Sequence, residues 1–194
     1  MNIFVINAHQ HYGSAPGDLN RALVNCVEEI GASNSHNVIV TEIESGYDIQ
    51  QEIQHHEWAD LIITQTPVYW FGAPWIYKKY IDEVFSAAYG TRLAIDDGRT
   101  RDDPSKQYGT GGLSDGKRFM ISSTWNAPQA AFNDSEQIVF EGRSIDDALI
   151  QISGNYRFCG FEILPGFACF DVRKHPNTTE DLIAWRARIE ELLA

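Results

Sequence analysis

Two loops carry the residues best equipped for chemistry. The first, Ala8-His9-Gln10-His11-Tyr12-Gly13-Ser14-Ala15-Pro16-Gly17, leads into a helical pattern opening at Asp18. Free backbone N–H groups and the dipole at a helix start attract phosphate. Gly13 and Gly17 would let the backbone approach a ligand, and Ser14 and Asn20 offer polar side chains. The string is not G-x-G-x-x-G, which turns more tightly, and its ten residues leave room for a wrapped pyrophosphate. Any strand-to-helix unit needs a turn, so a plain connection and a phosphate cradle are both open on loop chemistry alone.

The second loop, Val68-Tyr69-Trp70-Phe71-Gly72-Ala73, is unusually aromatic, and Trp75 follows Pro74. Aromatic side chains serve core packing and subunit contact as well as ligands. A proline-flanked loop at the end of a strand favours a third use, a platform for a flat ring such as a flavin. Thr124-Trp125-Asn126-Ala127-Pro128 ends another strand, where exposed N–H groups and the Asn126 amide would meet the polar edge of such a ring. Tyr108 heads Tyr108-Gly109-Thr110-Gly111-Gly112, a flexible stretch with no further signature.

Other chemistries lack their residues. His9 and His11 have no nearby Cys or acidic ligands, and adjacent His55 and His56 point about 100° apart on a helix, so no metal is expected. His9 suits a phosphate or sugar contact better. No G-x-S-x-G elbow and no G-x-x-x-x-G-K-[ST] string occurs, and no cysteine has an activating neighbour. A cofactor is left to carry the hard chemistry.

The elements that must position these loops alternate. Apolar runs predict strands at Asn2–Asn7, Val38–Ile43, Asp60–Pro67, Lys117–Trp125 and Glu162–Val172, the last broken by Pro165 and Gly166. Helical spacing predicts Asp18 to Ile30 with Asp18 as cap and Gly31 as stop, then Asp48–Glu57, a helix after Pro74, Ser144–Phe158, and Thr178–Leu193 capped by Thr178 or Thr179. Five strands alternating with helices predict an α/β fold: a flavodoxin-like five-stranded parallel sheet, order 2-1-3-4-5, helices on both faces. Ligands then sit at the carboxyl ends of strands 1 and 3, where the strand order reverses. The loops 8–17 and 67–73 follow those two strands.

Composition narrows the setting. The 194 residues suit one domain over 1–194. A net charge of −12 repels a phosphate backbone, so nucleic acid is not an expected partner. No apolar run reaches a membrane span, and Met1–Asn7 lacks the flanks of a signal peptide, which predicts a cytoplasmic protein without a membrane partner. Cys26, Cys159 and Cys169 are unpaired in spacing and read as buried small hydrophobes.

Several strings carry a resemblance. Gly72-Ala73-Pro74-Trp75-Ile76-Tyr77-Lys78-Lys79-Tyr80-Ile81-Asp82, Asp97-Gly98-Arg99-Thr100-Arg101, Tyr108-Gly109-Thr110-Gly111-Gly112-Leu113 and Thr124-Trp125-Asn126-Ala127-Pro128 closely resemble the modulator of drug activity B family. These are NAD(P)H:quinone oxidoreductases of the flavodoxin-like superfamily. The resemblance implies a homodimer with FAD, two-electron transfer from NAD(P)H to a small-molecule quinone, and a ping-pong order. It implies FAD contacts at Ala15, Gly17, Leu19, Asn20, Val68, Tyr69, Trp70, Phe71, Tyr108, Thr124, Trp125, Asn126 and Ala127. Tyr69 and Tyr108 are placed to meet the quinone. Val68 and Tyr69 depart from the family's Gly and Trp. A flavin reductase of nitro or azo compounds is the alternative within this chemistry. A flavodoxin-type carrier is the alternative outside it, although the loop 8–17 has only Ser14 in place of a hydroxyl-rich phosphate loop.

Overall fold

A computed structural model describes residues 1–194. Strands β1 (Asn2–Asn7), β2 (Asn37–Glu42), β3 (Leu61–Pro67), β4 (Arg118–Thr124), β5 (Glu162–Ile163) and β6 (Phe167–Cys169) form one parallel sheet. The order is β2-β1-β3-β4-β5, and β6 pairs with the far end of β4. The single expected fifth strand is thus two short pieces on one edge. Pro165 lacks an N–H, and a Cβ on Gly166 would stand 2.6 Å from Asp146 Oδ1, so the chain steps away from the ladder between them.

Side-chain alternation divides the core into two layers. Phe4 and Ile6 of β1, Ile62 of β3, and Phe119 and Ile121 of β4 face one side. There they meet helices α2 (Ile49–Trp58), α3 (Trp75–Ala88) and α5 (Ile150–Phe158). Ile3, Val5, Leu61, Ile63 and Met120 face the other side, toward α1 (Asp18–Ser33) and α6 (Thr178–Leu193). Each fully buried Ile or Leu of these stripes contributes about 1.5–3 kcal/mol, enough to fix which face each strand presents. Trp185 ties α6 to α1 by donating its indole N–H to Leu23 O at 2.9 Å.

Four helix boundaries differ from expectation. Helix α1 starts after Gly17, at φ 89°, with no side-chain cap, and Asp18 is its first residue. It runs through Gly31 to Ser33, because Gly31 is a packing glycine: a Cβ there would lie 2.3 Å from Val38 Cγ2. The span Ser144–Phe158 breaks at Leu149 into α4 (Ile145–Ala148) and α5, with Ser144 capping α4 in a reciprocal pair with Asp147. Helix α6 is preceded by Asn177, whose side chain makes no cap.

The segment 90–116 folds back on the ends of α3 and α5. Leu93 and Ala94 are buried, and Ser114 N–H donates to Cys159 O at 3.0 Å. The glycine stretch expected to be flexible is bonded in place, with Gly109 N–H on Asp97 O at 2.8 Å and Leu113 N–H on Leu93 O at 2.9 Å. Cys26, Cys159 and Cys169 are free and buried. No helix is long and apolar enough to cross a membrane.

Candidate functional site

Parallel pairing brings the ends of β1, β3 and β4 side by side, so the loops 8–17, 68–73 and 125–128 leave the sheet on one edge. Ala8 N–H donates to Gln65 O at 2.9 Å and Val68 N–H to Thr124 O at 2.9 Å, which extends the ladder into the loop starts. Tyr69 joins the first two loops: its hydroxyl donates to Gln10 O at 3.1 Å, and its ring meets Tyr12 edge-on at 5.3 Å.

The loop 8–17 wraps around His9. The imidazole donates Nε2–H to Ala15 O at 3.0 Å and is buried beneath Gly17. This brace occupies one ring nitrogen of His9, the residue expected to contact phosphate or sugar. Helix geometry leaves the N–H groups of Asp18, Leu19 and Asn20 without intrahelical acceptors, and Gly17 supplies no side chain to take one. The Asn20 amide is turned inward. It accepts from Gln65 Nε2 at 2.7 Å and donates to Thr124 Oγ1 at 3.4 Å, linking α1, β3 and β4. Gln65 Oε1 is buried in the same network with no donor.

The loop 68–73 is a tight turn closed by Tyr69 N–H on Gly72 O at 2.8 Å. Trp70 and Phe71 both have positive φ, 49° and 68°, as the centre of a type I′ turn demands. Gly, Asn and Asp normally take those positions, so two large aromatic residues there hold strain of order 1–3 kcal/mol each. The strain displays them: Trp70 is 94% exposed and Phe71 is 55% exposed. Phe71 leans edge-on against Phe140 at 6.0 Å, and Phe140 stacks on Phe132 at 4.1 Å.

Trp125 belongs to the floor of this wall. Its ring is 2% exposed, meets Phe132 edge-on at 4.9 Å and donates Nε1–H to Ser123 Oγ at 2.9 Å. Its backbone N–H, expected to be free, donates to Cys169 O at 2.8 Å. The N–H groups of Asn126 and Ala127 make no bond to the protein, and Asn126 is exposed.

Tyr108 is not brought to this edge. It packs on Phe158 at 5.5 Å, near Tyr89, at the ends of α5 and α3 that lie beside the strand starts. Phe85, Tyr89, Tyr108, Asn155 and Phe158 line a cavity of about 700 Å³ there. Residues the sequence did not single out are Gln65, Phe132, Phe140 and Arg173. A glutamine inside the apolar run Leu61–Pro67 is a readable sign for Gln65; the others carry none.

The chain matches the family model of the flavodoxin-like fold over residues 1–193. It is 39% identical over 192 residues to the NADPH:quinone oxidoreductase MdaB of Haemophilus influenzae, covering 99% of each chain. A crystal structure assigned as a quinone reductase from Klebsiella pneumoniae superposes with a TM-score of 0.81 at 23% identity, over 99% of this chain and 85% of that one. General stress protein 14 of Treponema denticola, crystallised with FMN, superposes with a TM-score of 0.68 at 18% identity, over 98% of each. The chain is a member of the flavodoxin-like family, in the modulator of drug activity B branch.

Proposed function

We propose that this chain is a cytoplasmic NAD(P)H:quinone oxidoreductase that uses FAD and works as a homodimer by a ping-pong mechanism. The reading is carried by one conjunction: an uncapped helix start and a strained, exposed aromatic turn on the same sheet edge. Its named relative at 39% identity, an NADPH:quinone oxidoreductase, supports the same activity.

The residues fit a flavin dinucleotide on three counts. The N–H groups of Asp18, Leu19 and Asn20 stand ready for phosphate oxygens, and Gly17 keeps their approach clear. The faces of Trp70 and Tyr69 offer aromatic surface for a flat ring. The unbonded N–H groups of Asn126 and Ala127 offer donors where negative charge on a ring edge needs them. Bound there, FAD would supply a hydride-carrying ring between NAD(P)H and a quinone.

The protein's own work is then placement. The Asn20–Gln65–Thr124 network holds the helix start against the strand ends, so the phosphate and ring subsites keep a fixed spacing. Nicotinamide and quinone are both flat and would use one aromatic-walled place in turn, which gives parallel double-reciprocal lines. Tyr69 stands at that place with its phenol held by Gln10 O. Tyr108 packs on Phe158 away from the loops 8–17 and 68–73, so within this reading it would join the site from a two-fold partner. Trp75 and Tyr89, at the two ends of α3, and Ile150 of α5 are each exposed, and a second copy docked over these helices would bring its own Tyr108 to the loops.

Purified protein tests the reading directly. It should show flavin absorbance, release FAD on denaturation, and oxidise NADPH faster with menadione than without. Colourless protein that FAD does not reconstitute would overturn it.

A further inference from the structure

Arg173 stands on the turn after β6, and the turn is firmly held. Asp171 has a φ of 50°, and its N–H donates to Ala127 O at 3.1 Å. Val172 N–H donates to Trp125 O at 3.1 Å, and the N–H groups of Lys174 and His175 return to Asp171 O at 3.2 and 3.0 Å. The guanidinium is thereby laid on the loop 8–17, where Nη2 donates to both the carbonyl and the hydroxyl of Ser14 at 3.1 Å.

Its partners are two neutral oxygens of one residue, Ser14. Arg92, Arg99, Arg143, Arg186 and Arg188 each pair with a carboxylate. Arg173, like Arg21, Arg101, Arg118 and Arg157, pairs with none; unlike them it is laid on the loop 8–17, and its Nε and Nη1 have no protein acceptor. Its charge also reaches Tyr69, where it partly offsets the upward push that burial gives the phenol's pKa. A permanently charged fork, exposed to solvent, is therefore held by Ser14 on the loop that leads to a helix start with unbonded N–H groups, with Tyr69 within reach of its charge. A guanidinium matches phosphate oxygens in pairs and keeps its charge at any working pH.

We infer that Arg173 recognises a phosphate of the flavin nucleotide, holding the loop 8–17 through Ser14 and offering its remaining N–H groups to phosphate oxygens. The inference rests on the flavin reading above. It makes Arg173 a binding residue that acts on the phosphate and not on the ring.

Flavins with and without phosphate separate this role from a loop brace. Full-length apoprotein of the wild type, Arg173→Met and Arg173→Lys is titrated with FAD, FMN and riboflavin, following flavin fluorescence at low and high salt. Arg173→Met should weaken FAD and FMN by about tenfold or more, the usual effect of losing a charged hydrogen-bond donor, and leave riboflavin within about twofold. Arg173→Lys should recover part of the loss, and salt should matter less for Arg173→Met than for the wild type. Equal weakening of riboflavin would reduce Arg173 to a brace. Unchanged FAD affinity with a raised KM for NADPH would assign it to the nicotinamide nucleotide's phosphate instead; either result overturns the inference. Wild-type protein that binds none of the three flavins would sink the flavin reading itself, a distinct failure.

Discussion

The imidazole of His9 lies under the α-carbon of Gly17, so close that the loop 8–17 admits no side chain there. A Cβ on Gly17 would stand 2.5 Å from His9 Cε1 and 2.7 Å from each ring nitrogen, at a φ of +89°. Gly17→Ala therefore meets a backbone penalty of about 1–2 kcal/mol and a displaced His9 besides. We expect Tm to fall by about 4 °C or more and FAD affinity to fall with it, read by thermal melts of apoprotein and flavin titration. An unchanged melt would show that the loop relaxes freely.

The turn at Trp70 and Phe71 should trade stability against function. Trp70→Asn with Phe71→Gly supplies the residues that a type I′ turn prefers, relieving φ values of 49° and 68°. The double variant should gain about 1 kcal/mol in urea unfolding of the apoprotein. Its kcat/KM for quinone should drop at least about tenfold as the aromatic surface disappears. Loss of stability in this variant would mean that the Phe71–Phe140 contact outweighs the backbone strain.

Which parts of this were legible in the sequence follows from what each signal depends on. Strands such as Asn2–Asn7 and Leu61–Pro67 announce themselves, because burial on both faces demands an unbroken apolar run. Alternation with helices and right-handed crossovers leave few sheet orders. The commonest for five strands, 2-1-3-4-5, is the one observed, and it sets the edge where the loops meet. Gly31 misled because a glycine late in a helix reads as a stop, while its actual partner, Val38, is a contact that no local pattern encodes. The packing of the Trp125 ring depends on the same kind of contact, since Phe132 and Phe140 hold it in the core. Arg173 was invisible, since its meaning lies in Ser14, 159 residues away.

Acid should destabilise the protein through His56. Burial between Phe4, Phe85 and Tyr156 pushes its pKa down to about 4 from 6.5, against the smaller upward pull of its bond to Glu52 O. The unfolded chain takes up a proton near pH 6.5 and the folded chain only near 4. Stability is therefore intact above pH 6.5 and declines as pH falls toward 4, by about 3 kcal/mol in all. His56→Gln should flatten the dependence between pH 6.5 and 4.5. The surface carboxyls of Glu83, Asp97, Asp134 and Asp147, held below their usual range by hydrogen bonds, act only at lower pH. An unaltered slope in the variant would place the acid sensitivity elsewhere.

Tyr108 offers a test of the site's shared construction. The loops 8–17 and 68–73 sit at one end of α3, and Tyr108 packs against Phe158 beside the other end. If each site takes its loops from one copy and Tyr108 from the next, Tyr108→Ala and Gly17→Ala spoil different halves. Each variant alone would then have two damaged sites per dimer. A mixed dimer would have one site with both defects and one with neither. Co-purified, differently tagged heterodimers should thus recover about half of wild-type turnover per dimer, while each homodimer stays low. Recovery would also require a dimer in solution, checked by light scattering. Heterodimers no more active than the average of the two homodimers would confine the site to one protomer and leave Tyr108 with a packing role on Phe158.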